Sequence, residues 1–102
     1  LFLSDFRGAI ADYSLAIEIN PMYTDAFTGR GMAKFKMDDF AGAIADYSKA
    51  IAISPKSSEA YYGRGLAKLA LNQTDSGCLD LSKAGELGTE ARAYEAIKMF
   101  CN

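Results

Sequence analysis

Charged side chains of two kinds recur along this chain at one fixed spacing. The carboxylates Asp12, Asp46 and Asp80 lie 34 residues apart, and so do Arg30 and Arg64. A catalytic acid would not need a copy in every segment, whereas a guanidinium matches a carboxylate geometrically and binds it through two parallel hydrogen bonds. The spacing therefore predicts Arg–Asp pairs that bridge adjacent elements in a structural role.

Other catalytic chemistry finds little support in the residue types. The chain contains no histidine, which excludes histidine-dependent triads and histidine metal sites, and we expect no catalytic residue, metal or cofactor. The segments Gly29–Gly31 and Gly63–Gly65 look faintly like phosphate-binding loops, but both lie within a helical pattern. Glycine inside a helix costs about 1 kcal/mol relative to alanine. These glycines indicate either close approach, by a helix at Gly31 and a ligand at Gly29, or tolerated substitutions.

The two cysteines, Cys78 and Cys101, are the remaining reactive side chains. If the last predicted helix folds back on the preceding one, they lie within about one helical turn of each other. We predict Cα atoms close enough for a bridge, which needs about 4.4–6.8 Å. A disulfide, two buried thiols and a reactive site all stay open. The reactive site is least favoured, because no cationic side chain is evidently placed to activate a thiol.

The composition limits the classes of partner that we expect for this chain. The chain has 102 residues, half of them hydrophobic, and a formal net charge of −2. This charge, without any stripe of lysine and arginine, argues against nucleic acid. No apolar run is long enough to span a membrane, so we expect no membrane partner. The sequence opens without an initiator methionine, and we expect it to be a fragment of a longer protein.

The whole chain is organised by a 34-residue internal repeat. Asp5–Pro21 and Asp39–Pro55 are identical at 13 of 17 positions, and the same shift aligns Ala26–Lys34 with Ala60–Lys68. A period in this range marks one supersecondary unit used repeatedly, because a single unit cannot bury its apolar face alone. The repeat predicts a scaffold and no enzyme.

Apolar residues follow helical and not strand spacing throughout, so the predicted fold is all-α. Pro21 and Pro55 each follow an apolar stretch and end a helix there. The first helix is expected to begin near Phe6. The later ones are predicted at about Thr24–Met37, Phe40–Ile53, Glu59–Leu71, Asp75–Leu87 and Glu90–Cys101.

The middle unit resembles the tetratricopeptide repeat (TPR) family, whose motif runs W-x2-L-G-x2-Y, then A-x3-F, then P. Phe27 takes the place of the Trp, Gly31 that of the Gly, Ala43 that of the Ala, Tyr47 that of the Phe, and Pro55 that of the Pro. The resemblance covers nearly the whole chain. It implies a right-handed helix-turn-helix solenoid of about two and a half units, divided as a half repeat (1–23), repeats 24–57 and 58–89, and a capping helix (90–102).

The resemblance also implies a protein–protein interaction scaffold that holds a peptide or partner helix in a concave groove. The family's carboxylate-clamp version uses Lys, Asn and Arg there, whereas this chain has Thr, Met, Gly, Tyr and Leu, so we predict an apolar or aromatic-bearing ligand. Two alternatives stay open: adjacent repeats of a longer protein cover this face, or the chain is a self-assembly module associating through repeat ends. The predicted groove residues are Thr28, Met32, Phe35, Tyr62, Leu66 and Leu69.

The opening unit is expected to lack its first helix, of which Leu1–Ser4 would be the remnant. Ala9, Tyr13 and Ala16 would then be left uncovered as an apolar stripe. Such patches usually mark interfaces, and like patches pair isologously. We therefore predict a homodimer of the chain through its N-terminal helix.

Overall fold

The computed structural model describes residues 2–101, with side chains from residue 5 onward. Consecutive helices pack against each other in a stack with overall extents of 40 × 29 × 20 Å. The predicted all-α helical repeat fold is confirmed, and the described residues contain no strand. The helices are α1 (Phe2–Ile19), α2 (Thr24–Lys36), α3 (Phe40–Ile53), α4 (Ser58–Ala70), α5 (Thr74–Leu87) and α6 (Glu90–Phe100).

The turns inside the repeats are copies of each other. Asp38 and Asn72, one repeat apart, both adopt positive φ angles, 64° and 62°. Short polar side chains of this kind tolerate the left-handed region, where a helix commonly ends. At the start of α3, the Asp39 carboxylate accepts a hydrogen bond from the backbone N–H of Gly42 at 3.0 Å. These local devices explain why the helix ends lie within a residue or two of their predicted places after Pro21.

The core consists of alanines, glycines, a few aromatic rings and the fully buried Leu81. Ala43 and Ala50 of α3 are fully buried, and Tyr47 between them is only 6% exposed. The Tyr47 ring packs against Gly31 of α2, and a methyl group at Gly63 of α4 would overlap the same ring. Glycine is therefore needed at Gly63, whereas a methyl group at Gly31 would lie 3.2 Å from the ring, a tight fit in a closely packed interior.

The predicted Arg–Asp pairs are present, and each arginine joins three helices. Arg30 on α2 donates to both carboxylate oxygens of Asp46 on α3, from Nε at 2.9 Å and from Nη2 at 2.8 Å. Its third contact is a donation to Ser14 Oγ on α1 at 3.1 Å. Lys34 approaches the same carboxylate at 3.1 Å. The hydrogen bonds that Arg30 donates to Asp46 raise the pKa of its guanidinium, so this cation stays charged.

The next unit repeats this arrangement one period later. Arg64 donates to both oxygens of Asp80 at 2.8 and 2.9 Å and to Ser48 Oγ at 3.1 Å. Asp12, the first copy of the carboxylate, lies exposed on α1. Position in the repeat therefore selects the residue type, and a neighbouring helix decides whether the side chain is buried.

The prediction for the N-terminus is wrong in two respects. First, α1 begins at Phe2, so residues 2–4 belong to that helix and are no remnant of an earlier one; Leu1 lies outside the described residues. No proline or glycine separates these residues from the following turns, so nothing local ends the helix there. Second, Ala9, Tyr13 and Ala16 are half-buried, because α1 packs against α2, with the Tyr13 ring over Gly29.

The cysteines adopt the first of their three predicted states. Cys78 on α5 and Cys101 after α6 form a disulfide, with Cα atoms 5.9 Å apart.

Within residues 2–101, no helix combines the length and the apolar character that crossing a membrane requires.

The Asp46 pair can be tested against its exposed copy. Replacing Asp46 with Asn leaves Arg30 and Lys34 without their common acceptor charge. We expect the free energy of unfolding to fall by roughly 2–4 kcal/mol, slightly less than the cost of breaking a fully buried pair. The difference arises because both cations keep about a fifth of their side-chain surface exposed. The matched control, Asp12→Asn, should cost less than about 0.5 kcal/mol. Urea unfolding followed by circular dichroism measures both, and equal losses would contradict the assignment.

Candidate functional site

A cleft of about 520 Å³ runs between α2 and α4, the first helices of two successive units. Side chains from α1 and α3 also reach it, and α6 contributes one residue. The lining residues are Tyr13, Asp25, Thr28, Gly29, Met32, Phe35, Lys36, Tyr47, Glu59, Tyr62, Gly63, Leu66 and Arg92.

The structure brings together most of the residues that the sequence predicted for a groove. Met32 and Leu66, one repeat apart, lie in the cleft together with Phe35, whose ring packs edge-on against Phe40 at 5.2 Å. Met32 is largely exposed, so its thioether is available for contact. Thr28 and Tyr62 complete the predicted residues that the structure places in the cleft.

Leu69 is the predicted groove residue that the structure places elsewhere. A methyl group at Gly77 of α5 would lie 3.2 Å from Leu69 Cγ, so this leucine packs between α4 and α5. The middle unit has Ala43 at the position of Gly77. Without a methyl group there, α5 comes so close to α4 that a Cβ at Gly65 would lie 2.9 Å from the Gly77 carbonyl oxygen. The side chain of Leu69 fills the space beside this backbone contact.

Two tyrosines that the sequence analysis did not assign to the groove also line the cleft. Tyr13 and Tyr47 lie over Gly29 and Gly63, where a methyl group would overlap each ring. The close approach at Gly29, which had suggested a ligand, therefore comes from the Tyr13 ring. The sequence carries a signal for this tyrosine–glycine contact, because Tyr13 precedes Gly29 and Tyr47 precedes Gly63 by the same 16 residues.

The cleft carries two acidic and two basic side chains. Asp25 and Glu59 lie in the first turns of α2 and α4, and Lys36 and Arg92 are the cations. Arg92 on α6 donates from Nη2 to Glu59 Oε1 at 3.3 Å. Its guanidinium also lies 4.9 Å from the centroid of the Tyr62 ring, a distance at which cation–π attraction operates. Arg92 is thus already engaged within the chain.

This set of side chains is suited to holding a ligand by contact. The hydroxyl of Thr28 donates to the backbone carbonyl of Asp25 at 3.1 Å, so it serves its own helix. Among the described lining residues, no serine, cysteine or histidine supplies a nucleophile or a base near neutral pH. What the cleft offers is apolar and aromatic surface with charges at its borders, which is how ligand sites in proteins are commonly composed.

Tyr47 connects the cleft to the stability of the fold. Burial, followed by the charges of Glu59 and Asp46, raises the pKa of its phenol to about 12. The free energy of unfolding should be fully retained below about pH 10 and then fall by about 2–3 kcal/mol as the pH rises to about 12, since the unfolded phenol ionises first. Urea unfolding of the native chain and of Tyr47→Phe across this range isolates the effect, because the other tyrosines titrate in both. If the free energies of unfolding of the native chain and of Tyr47→Phe changed with pH in parallel, the burial of this phenol would be contradicted.

Comparisons with known proteins agree with this geometry. A family model described as TPR repeat matches residues 31–72. The first TPR of Spaghetti (RPAP3), bound to HSP90 peptide SRMEEVD, is 25% identical with a TM-score of 0.92, and the match covers 96% of this chain and 79% of that one. The Arabidopsis OM64 TPR domain is 26% identical with a TM-score of 0.92, covering 95% and 81%.

MamA is 30% identical with a TM-score of 0.78, and the match covers 85% of this chain and 51% of that one. No curated protein sequence matches significantly. The matched repeat, the helical stack and the likeness to these solved structures confirm the predicted resemblance to the tetratricopeptide repeat family.

Proposed function

We propose that this chain is a protein-interaction module whose cleft binds a peptide segment or partner helix bearing apolar or aromatic side chains. The observation that carries the proposal is the cleft between α2 and α4, with Met32, Tyr62 and Leu66 in its lining. Methionine adapts its shape to a ligand, whereas tyrosine presents a rigid ring. Together they provide the contact surface that helix-in-groove recognition uses.

A relative supports the peptide-binding part of this proposal. The first TPR of Spaghetti (RPAP3), which has nearly the same backbone, is bound to HSP90 peptide SRMEEVD. The ligand of the present chain should differ, because Asp25 and Glu59 line its cleft and Arg92 already pairs with Glu59. A ligand rich in carboxylates would meet the like charge of Asp25, and of the two lining cations Arg92 is already paired. An apolar segment without acidic residues fits the cleft better.

The groove is tested by removing its apolar contacts. A peptide selected from a random phage-displayed library on the native chain serves as the probe, and Tyr62→Ala/Leu66→Ala should weaken its binding by about 10–100-fold, as truncation of central interface residues commonly does. Helical content by circular dichroism should stay the same. Titration with SRMEEVD should show binding at least about tenfold weaker than the selected peptide.

The control is Leu79→Ala/Tyr94→Ala, which truncates two exposed apolar residues that do not line the cleft. This variant should retain the native affinity. If the cleft variant also retains it, or if the selection yields no binder above background, the groove is not the binding site.

A second candidate function is self-association, which a different surface favours. Leu15 and Ile19 lie one turn apart on α1 and are exposed, Ile19 to 85%, and Met22 in the following turn is exposed as well. We infer that a second copy covers this patch in an isologous dimer, because exposed apolar stripes of this kind commonly mark interfaces.

Light scattering tests the dimer directly. Ile19→Lys should halve the measured mass, since a lysine buried at the two-fold contact lacks a partner charge. Glu18→Lys, which places the same side chain at an exposed neighbour, should leave the mass unchanged. A native chain that is monomeric at high concentration would refute the dimer while leaving the groove proposal intact.

A further inference from the structure

The last helix is held weakly by noncovalent contacts. α6 has 11 residues, fewer than the roughly 12–15 at which an isolated helix becomes even marginally stable. Its buried residues are Ala93 and Ala96, whose methyl groups contribute little apolar area, and Ile97 is only partly buried. Tyr94, Met99 and Phe100 are all more than half exposed. Noncovalent packing alone therefore holds α6 only weakly against the rest of the fold.

The connection that precedes α6 adds to this weakness. Only Gly88 and Thr89 separate α6 from α5, and Gly88 has a φ of 144°, a conformation that glycine adopts readily. The hydroxyl of Thr89 is buried without a hydrogen-bond partner. A buried polar group that makes no hydrogen bond opposes the packing that buries it. Docking of α6 therefore carries a cost at its first turn.

The disulfide is the strongest attachment of α6 to the rest of the fold. It joins Cys78 on α5 to Cys101 immediately after α6, so the closed loop contains the whole helix. Both cysteines are partly exposed and line an open depression of about 620 Å³ beside Leu79 and Phe100. A small dithiol can reach the sulfurs there.

Undocking of α6 would change the cleft, because Arg92 lies on this helix. Arg92 pairs with Glu59 and covers the ring of Tyr62, so it forms one wall of the cleft. If α6 left α5, the wall would be lost and the carboxylate of Glu59 would lose its partner. A ligand would then lose the contact surface that α6 provides and would meet the unpaired carboxylate of Glu59.

We propose that the Cys78–Cys101 disulfide is a redox switch that controls ligand binding in the cleft, an inference that rests on the proposed function. One thiolate of a dithiol reductant attacks a sulfur of the bridge and forms a mixed disulfide, and the other protein sulfur leaves as a thiolate that takes up a proton. The second thiol of the reductant, after losing its proton, displaces the remaining protein sulfur. The reductant leaves as a disulfide, and both cysteines become thiols.

The test compares the oxidised chain with the same chain in dithiothreitol, using two independent measurements. Hydrogen exchange by mass spectrometry should show α6 amides exchanging at least about 100-fold faster after reduction, with α2–α4 unchanged, since local opening exposes only the undocked helix. Affinity for the phage-selected peptide should fall about tenfold. Cys78→Ser/Cys101→Ser should behave as the reduced chain with or without dithiothreitol, which excludes an effect of the reagent.

Arg92→Ala in the oxidised chain separates the contribution of Arg92 to binding from that of the disulfide. This variant should weaken peptide binding without accelerating hydrogen exchange of the α6 amides. Unchanged exchange of α6 on reduction would overturn the switch, and so would faster exchange with unchanged affinity; in both cases peptide binding by the oxidised chain would leave the proposed function standing. Failure of the oxidised chain to bind any selected peptide would instead refute the proposed function and the coupling with it.

Discussion

The contact on which the rest of this structure depends is the ring of Tyr47 between two glycine-bearing helices. The ring lies against Gly31 within its own unit and against Gly63 of the next one. It therefore determines both the spacing inside a unit and the spacing between units. Interiors packed at crystal-like density leave no room for a methyl group at Gly63 and only a tight fit for one at Gly31. The same ring also lines the cleft, so the helix spacing and the shape of the site have one common cause.

A second repeated contact determines how neighbouring units are oriented. Arg30 joins α1, α2 and α3 through Ser14 and Asp46, and Arg64 makes the equivalent bonds one repeat later. Because a guanidinium donates in fixed directions, it holds its partners at defined angles, which apolar packing alone does not do. The charged pairs therefore provide orientation, and the alanine and tyrosine contacts provide burial.

The function that we propose depends both on the regular repeat, which forms α2 and α4, and on α6, which does not follow the repeat. The apolar cleft arises because Met32 and Leu66 occupy equivalent positions on two parallel copies of one helix. Its charged border arises because α6 departs from the repeat and places Arg92 beside Glu59. Regular packing thus builds the proposed binding surface, and the irregular end of the chain adds Arg92 to it and lies next to the disulfide.

The sequence alone determined the helices, the repeat and the Arg–Asp pairs, because each follows from spacing along one chain. It also indicated five of the residues that line the cleft, since Thr28, Met32 and Phe35 share one face of α2 and the copies of the first two lie on α4. Only the tertiary structure placed Leu69 and Arg92. Leu69 turns into the α4–α5 contact because Gly77 lets two backbones meet, an effect between helices that no periodicity records.

Arg92 could not be placed for a related reason. Two residues separate α5 from α6, whereas four separate α3 from α4, so the last helix begins out of register with the 34-residue period. Its position was decided by packing against α5 and by the Cys78–Cys101 bridge. Periodicity identifies the face that a helix presents within a regular array, but a helix that leaves the array is positioned by the contacts that it makes in space.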